Sequence, residues 1–252
     1  MPSKRLKNRI ALITGSSRGL GKSIAIAFAK EGAHVIINYK SNANAAENTA
    51  NEINKIGGSC IVIKANTSVR EEVKEMYRTA IAHYGKIDIL VNNAGINKRG
   101  WFSEITDDDW DSIMDTNLKG PFICCQEIFP HMIENGGGRI INMSSVSGQY
   151  YGPKTVHYAV SKSGLNSLTK VLARYGAPHN ILINAVAPGQ ILTDQTKDEF
   201  ESGAVKPLLE MTLLKRGGEI NDVTEAFLYL ADFSHSYMTG QVLALSGGAI
   251  LE

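Results

Sequence analysis

Short apolar runs alternate along the chain with longer segments whose apolar residues recur at three- and four-residue intervals. The runs at 10–13 (IALI), 35–38, 60–64, 87–91, 139–143, 181–186 and 241–245 predict strands. Helical periodicity fills the gaps: through Ile24, Ala27 and Phe28, then over 45–56, 69–84, 155–175 and 222–231. The strands are apolar throughout, as in a sheet buried on both faces, and their alternation with helices predicts a parallel α/β sheet in a single domain, 1–252.

Two segments break the rhythm. A helix is expected to start at Thr106-Asp107-Asp108-Asp109, where acidic residues suit a helix amino end, and to run toward Ile133 with a kink or break at Gly120-Pro121. Residues 188–218 show weak periodicity, which predicts a mobile functional loop.

Composition narrows the function classes. With 252 residues and 43% hydrophobic content the chain buries a sizeable core, and a net charge of +1 gives no reason to expect nucleic acid or an anionic membrane as partner. Lys4, Arg5, Lys7 and Arg9 are expected to form a solvated terminal arm. No apolar run is long enough to span a bilayer and no signal peptide opens the chain, so a cytoplasmic location is expected. Cys60, Cys124 and Cys125 are read as small buried fillers, and no metal site is expected because no histidine or cysteine spacing fits one.

The first strand ends in Thr14-Gly15-Ser16-Ser17-Arg18-Gly19-Leu20-Gly21 before a helix, an arrangement that turns backbone N–H groups toward a pyrophosphate at the positive end of the helix. The second strand runs into Tyr39-Lys40-Ser41 with no carboxylate for a ribose 2′-hydroxyl. Arg18 and Lys40 complement a 2′-phosphate instead, which favours NADP(H) and leaves NAD(H) possible.

The stretch 144–170 holds the chemistry. Tyr158 and Lys162 stand four apart in a helical segment, so their side chains share a face, and Ser145 arrives from the end of a strand. A second tyrosine–lysine pair at the same spacing, Tyr150 and Lys154, encloses Gly152-Pro153 and is set aside because those residues oppose a helix. Ser144 competes with Ser145, and a strand covered on both faces does not decide between them. His157 is expected to be packed or solvated rather than catalytic, since helix neighbours diverge by about 100°.

Taken in order, Thr14-Gly15-x-x-x-Gly19-x-Gly21, Asn92-Asn93-Ala94-Gly95, Asn117, Ser145, Tyr158-x-x-x-Lys162 and Pro188-Gly189-x-Ile191-x-Thr193 resemble the short-chain dehydrogenases/reductases over almost the whole chain. The branch most resembled, through GRIINMSS, APGQILTD and YMTGQVLALSGG, is the 3-oxoacyl-[acyl-carrier-protein] reductases. The resemblance implies a Rossmann-type doubly wound sheet of seven strands, a bound dinucleotide and, commonly, a homotetramer packed through the helices after Gly120 and Thr155. It also assigns roles. Tyr158 is the acid/base, Lys162 tunes it and binds the nicotinamide ribose, Ser145 polarises the carbonyl, and Asn117 helps hold a water that feeds protons to the lysine. Spacing within the family selects Ser145 over Ser144. Gly15, Ser17, Arg18, Gly19, Leu20, Gly21, Tyr39, Lys40, Ser41, Asn66, Asn93, Ala94, Gly95, Pro188, Gly189, Ile191 and Thr193 would hold the cofactor. Gln149 and Tyr151 join Ser145 and Tyr158 as substrate contacts.

Departures bear on the substrate. Asn66 stands where many relatives carry an adenine-binding aspartate, although its amide oxygen can accept in the same way. Asn135-Gly136 and His179-Asn180 lie where carrier-protein reductases present arginines, which weakens complementarity with an acidic carrier. Lys98 and Arg99 could attract an anion at the pocket mouth instead. The expected function is NADP(H)-dependent interconversion of a ketone and a secondary alcohol on a small molecule or acyl-carrier thioester. Alternatives are a sugar, polyol or small-ketone dehydrogenase, or a non-catalytic NADP sensor or scaffold.

Overall fold

A computed structural model describes residues 4–150, 154–193 and 196–251. Seven parallel strands form one sheet in the order β3-β2-β1-β4-β5-β6-β7: β1 Ile10–Ile13, β2 His34–Tyr39, β3 Ser59–Lys64, β4 Ile89–Asn92, β5 Gly138–Met143, β6 Ile181–Pro188 and β7 Val242–Leu245. The fourth strand begins two residues later than the sequence predicts; Asp88 before it still bonds Ile10 and Arg139 through its backbone, and its carboxylate accepts from the Ile10 N–H at 2.9 Å.

Successive strand residues point to opposite faces, so each strand feeds two cores. Ala11, Ile13, Val35, Ile37, Ile89 and Val91 pack with α1 (Gly19–Lys30), α2 (Ala43–Lys55) and α9 (Ile220–Ala231). Ile10, Leu12, Ile36, Leu90 and Ile140 pack on the other face with α3 (Arg70–Tyr84), α5 (Gly120–Glu134) and α6 (Val156–Gly176). That double covering is why the strands lack a polar alternation.

The helix from Thr106 does not break at Gly120-Pro121. α4 (Asp107–Met114) passes through a π-helical turn, Asp115–Lys119, directly into α5. Pro121 has no N–H to give the carbonyl four residues back, and the wider turn absorbs this by bonding Gly120 N to Asp115 O. The described residues of 188–218 carry more regular structure than their weak periodicity predicts, with two short helices, α7 (Lys197–Glu201) and α8 (Lys206–Glu210), and a bridge from Ile191 to Gly218.

The basic start is no free arm. Leu6 is fully buried, Arg5 pairs with Glu31 and Glu225, and Arg9 pairs with Asp88. Cys124 and Cys125 are buried, whereas Cys60 is only half-buried.

Candidate active site

The sheet reverses direction of winding between β1 and β4, opening a crevice at their carboxyl ends. Thr14 stitches the two ends: its hydroxyl accepts from the N–H groups of Asn93 and Ala94, each at 3.0 Å, and its carbonyl accepts from Asn93 Nδ2 at 2.8 Å. Gly15 sits at φ 62° so close to this seam that a Cβ would lie 2.9 Å from Ala94 Cα. At Gly21 a Cβ would meet Asn93 Nδ2 at 2.3 Å, so the helix start can press on the turn only with glycine there. Asn38, buried at the end of β2, supports the turn by accepting from Gly15 N at 3.1 Å.

α1 begins with no side-chain cap at Arg18 and no acidic residue in its first turn, which leaves its positive end for an anion. Ser17 is anchored by its carbonyl to Thr49 Oγ1 at 3.0 Å, and Leu20 packs on the core. Arg18, Lys40 and Ser41 are exposed and Tyr39 is half-buried at the end of β2. This glycine cradle and unfilled helix end fit a dinucleotide phosphate. Asn66 does not offer the acceptor foreseen for it: its Oδ1 already takes the Ser68 hydroxyl at 2.8 Å and the Ser68 N–H at 3.3 Å.

β5 ends at Met143 and the chain turns through a 3-10 segment, Val146–Gly148, capped by Ser145, whose Oγ accepts from Ser147 N at 3.1 Å. α6 then brings Tyr158 and Lys162 to this end of the sheet. The Ser145 side chain faces Tyr158, while Ser144 is turned away and donates to Asn166 Oδ1 at 2.5 Å. Lys162 Nζ lies 5.6 Å from the centroid of the Tyr158 ring and donates to the Met143 carbonyl at 2.7 Å. Burial lowers the Lys162 ammonium to about 8. Burial pushes the Tyr158 phenol up, opposed by the neighbouring Ser145 side chain.

Asn117 sits in the π-turn, fully buried, and grips the segment after β4. Its Oδ1 accepts from Ile96 N at 2.9 Å, and its Nδ2 donates to Ile96 O at 2.9 Å and to Ser161 Oγ at 3.2 Å. A Cβ on Gly95 would stand 3.6 Å from Lys162 Nζ, so this segment lies against the lysine. On the far side Gly189 N bonds to Leu245 O, the Ile191 carbonyl accepts from Thr196 Oγ1 at 2.7 Å, and Thr193 N donates to the same hydroxyl at 2.9 Å. Pro188 closes β6. Gln149 is half-buried just after the 3-10 turn, and Tyr151 lies outside the described residues. His157 is packed at 1% exposure.

Sequence reasoning missed a buried polar chain behind the site. Asn92 Nδ2 donates to Asn142 Oδ1 at 2.9 Å, and Asn142 Nδ2 donates to Thr169 Oγ1 at 2.8 Å, linking β4, β5 and α6. The signal was present, since an asparagine in an apolar buried strand requires a partner and these two occupy paired positions.

A family model described as short chain dehydrogenase matches residues 9–203. A 3-oxoacyl-[acyl-carrier-protein] reductase of Staphylococcus epidermidis is 40% identical over 241 residues, 96% of this chain and 98% of that protein. A Thermotoga maritima protein of the same name is 38% identical over 98% of this chain and all of its own length. Among solved structures, a gluconate 5-dehydrogenase from Burkholderia cenocepacia in complex with NADP and tartrate superposes with a TM-score of 0.92 at 33% identity, covering 98% of this chain and 97% of that one. With a family model matching most of its length and a whole-length relative at this identity, the chain belongs to the short-chain dehydrogenase family, as an oxidoreductase acting on CH–OH and C=O groups.

Proposed function

We propose that the protein interconverts a ketone and a secondary alcohol with NADP(H), using Tyr158 as the proton donor and acceptor. The observation that carries this reading is the meeting of the Ser145 and Tyr158 hydroxyls beside the buried Lys162, at the edge of the glycine cradle. The bound cofactor supplies the hydride. Ser145 donates a hydrogen bond to the carbonyl oxygen and Tyr158 gives that oxygen its proton, a contribution of about a hundred- to ten-thousandfold for acid/base catalysis of this kind. Raised by burial, the Tyr158 phenol holds its proton at neutral pH, as a donor in the reducing direction must. Asn117 positions the Gly95–Ile96 segment against Lys162.

The preference for NADP(H) over NAD(H) is supported by Arg18 and Lys40, exposed and without an ion pair among the described residues, and by the lack of a carboxylate at the end of β2. The relatives' names make a 3-oxoacyl thioester the first substrate to test. A sugar, polyol or small-ketone substrate is the second reading, favoured by Asn135-Gly136 and His179-Asn180, which offer no arginine to an acidic carrier. A second copy would pack on the apolar groove lined by Met114, Leu118, Phe122, Leu168 and Val171, in keeping with a homotetramer. No helix among the described residues is long and apolar enough to cross a membrane.

NADPH oxidation against a ketone panel that includes an acetoacetyl thioester, with wild type and Tyr158→Phe, tests this reading. Turnover that Tyr158→Phe nearly abolishes while NADPH binding persists is expected. Binding without turnover across the panel would support a sensor instead.

A further inference from the structure

The sheet order sets β5 between β4 and β6, so the segments leaving β4 and β6 flank the end of β5, where Ser145 stands. Among the described residues one ion pair joins the two flanks. Arg99, on the β4 side, and Glu199, in α7 on the β6 side, meet fork to fork, with Nη1–Oε1 and Nη2–Oε2 both at 3.1 Å. The Arg99 segment is fixed close to the reacting groups. Asn117 holds Ile96 from one end, and Gly100 N donates at 3.1 Å to the carbonyl of Lys154, one turn before Tyr158. Neighbouring charges have local partners: Lys98 bonds Asp109, Glu104 accepts from Trp101 N, and Lys154 Nζ lies 4.5 Å from the centroid of the Trp101 ring. Arg99 alone in this group takes its partner from the opposite flank.

A carboxylate seated on both arms of a guanidinium is the arrangement by which arginine recognises an anionic ligand. The pair is open to water, at 58% and 33% side-chain exposure, and a pair so exposed is held weakly enough for another carboxylate to replace it. We propose that Arg99 is a specificity-determining residue that receives a carboxylate on the substrate, and that Glu199 occupies its fork when substrate is absent. The inference rests on the ketone chemistry proposed for Tyr158, and it narrows the substrate to short oxo acids and their hydroxy acids. Arg99 stands three positions after Ile96, which limits the span between their Cα atoms to about 11 Å. That reach suits a carboxylate a few bonds from the carbonyl rather than the phosphate at the far end of a carrier's pantetheine arm.

The test compares acetoacetate with its neutral ester, ethyl acetoacetate, using NADPH and the wild type, Arg99→Gln and Glu199→Gln proteins. The acid-to-ester ratio of kcat/KM should fall about tenfold or more in Arg99→Gln, the scale of one charge-assisted contact, and should rise in Glu199→Gln. Opposite signs are expected if Glu199 competes with the substrate's carboxylate for Arg99. A pair that merely straps the flanks together is broken equally by either substitution, so changes of the same sign, or none, overturn the proposal. Malonate, which has no ketone to reduce, provides a binding arm by calorimetry. Affinity should weaken in Arg99→Gln and strengthen in Glu199→Gln. That pattern without turnover of either ketone would remove the reductase reading and keep the anion site, whereas equal malonate affinity in all three proteins overturns the anion site and leaves the reductase reading standing.

Discussion

Ser144 and Ser145 are adjacent in the chain yet serve different partners: Ser144 bonds Asn166 within α6, and Ser145 faces Tyr158. The first contact is buried and structural, the second opens on the site. Ser145→Ala should lower kcat by about a hundredfold, the scale of one lost donor at a reacting oxygen, with little change in thermal stability. Ser144→Ala should do the reverse, lowering stability by about 1–3 kcal/mol through the unpaired Asn166 oxygen while turnover persists. Ketone-reduction kinetics and urea melts on the two variants check this pair.

Lys162 gives a pH signature. Its pKa is lowered by burial from 10.5 to about 8, so between those values the unfolded chain binds more protons than the folded one and stability rises with pH. Below pH 8 the folded protein carries the full cost of the buried ammonium, about 3 kcal/mol for a shift of this size. Measured against Lys162→Met by urea unfolding, the wild type should gain up to about that much between pH 7.5 and 10.5. A stability difference that stays flat over this range contradicts the burial of a charged amine.

Asn117→Ala removes three hydrogen bonds at once and leaves both polar backbone groups of Ile96 unpaired beside the lysine. A loss of about 2–4 kcal/mol in unfolding free energy is expected, with a fall in kcat larger than the change in NADPH affinity. Denaturant unfolding and direct cofactor titration separate these effects.

Cofactor choice is tested at Arg18 and Lys40. Replacing both by alanine should raise the NADPH dissociation constant about ten- to hundredfold, as expected for lost charge-assisted contacts, and should leave NADH nearly unaffected. Fluorescence titration of each nucleotide reads this without turnover.

Much of the fold was legible because burial on both faces writes itself into the strands: Leu12 and Ile13, or Leu90 and Val91, are both apolar since each faces its own core. The crevice was legible through Gly15 and Gly21, where close approach forbids a side chain. Contacts to partners distant in sequence were not. The acceptor for Lys162 is a backbone carbonyl, at Met143, and every residue carries one, so no pattern singles it out. The loss of the Asn66 oxygen to Ser68 depends on a local turn that the bare letters do not force. α7 and α8 are short helices with no fully buried residue, so they have no apolar stripe to announce them.

The π-turn at 115–119 fixes more than the position of Asn117. Deleting any one of its residues would restore a regular α-helix, but it would also rotate α5 against α4 by about 100°, swinging Ile123, Cys124 and Ile128 out of the core they share with Leu12, Leu90 and Ile140. A change in chain length that a surface loop absorbs would here dismantle a face of the sheet. Those five residues therefore act as a spacer of fixed count between α4 and α5.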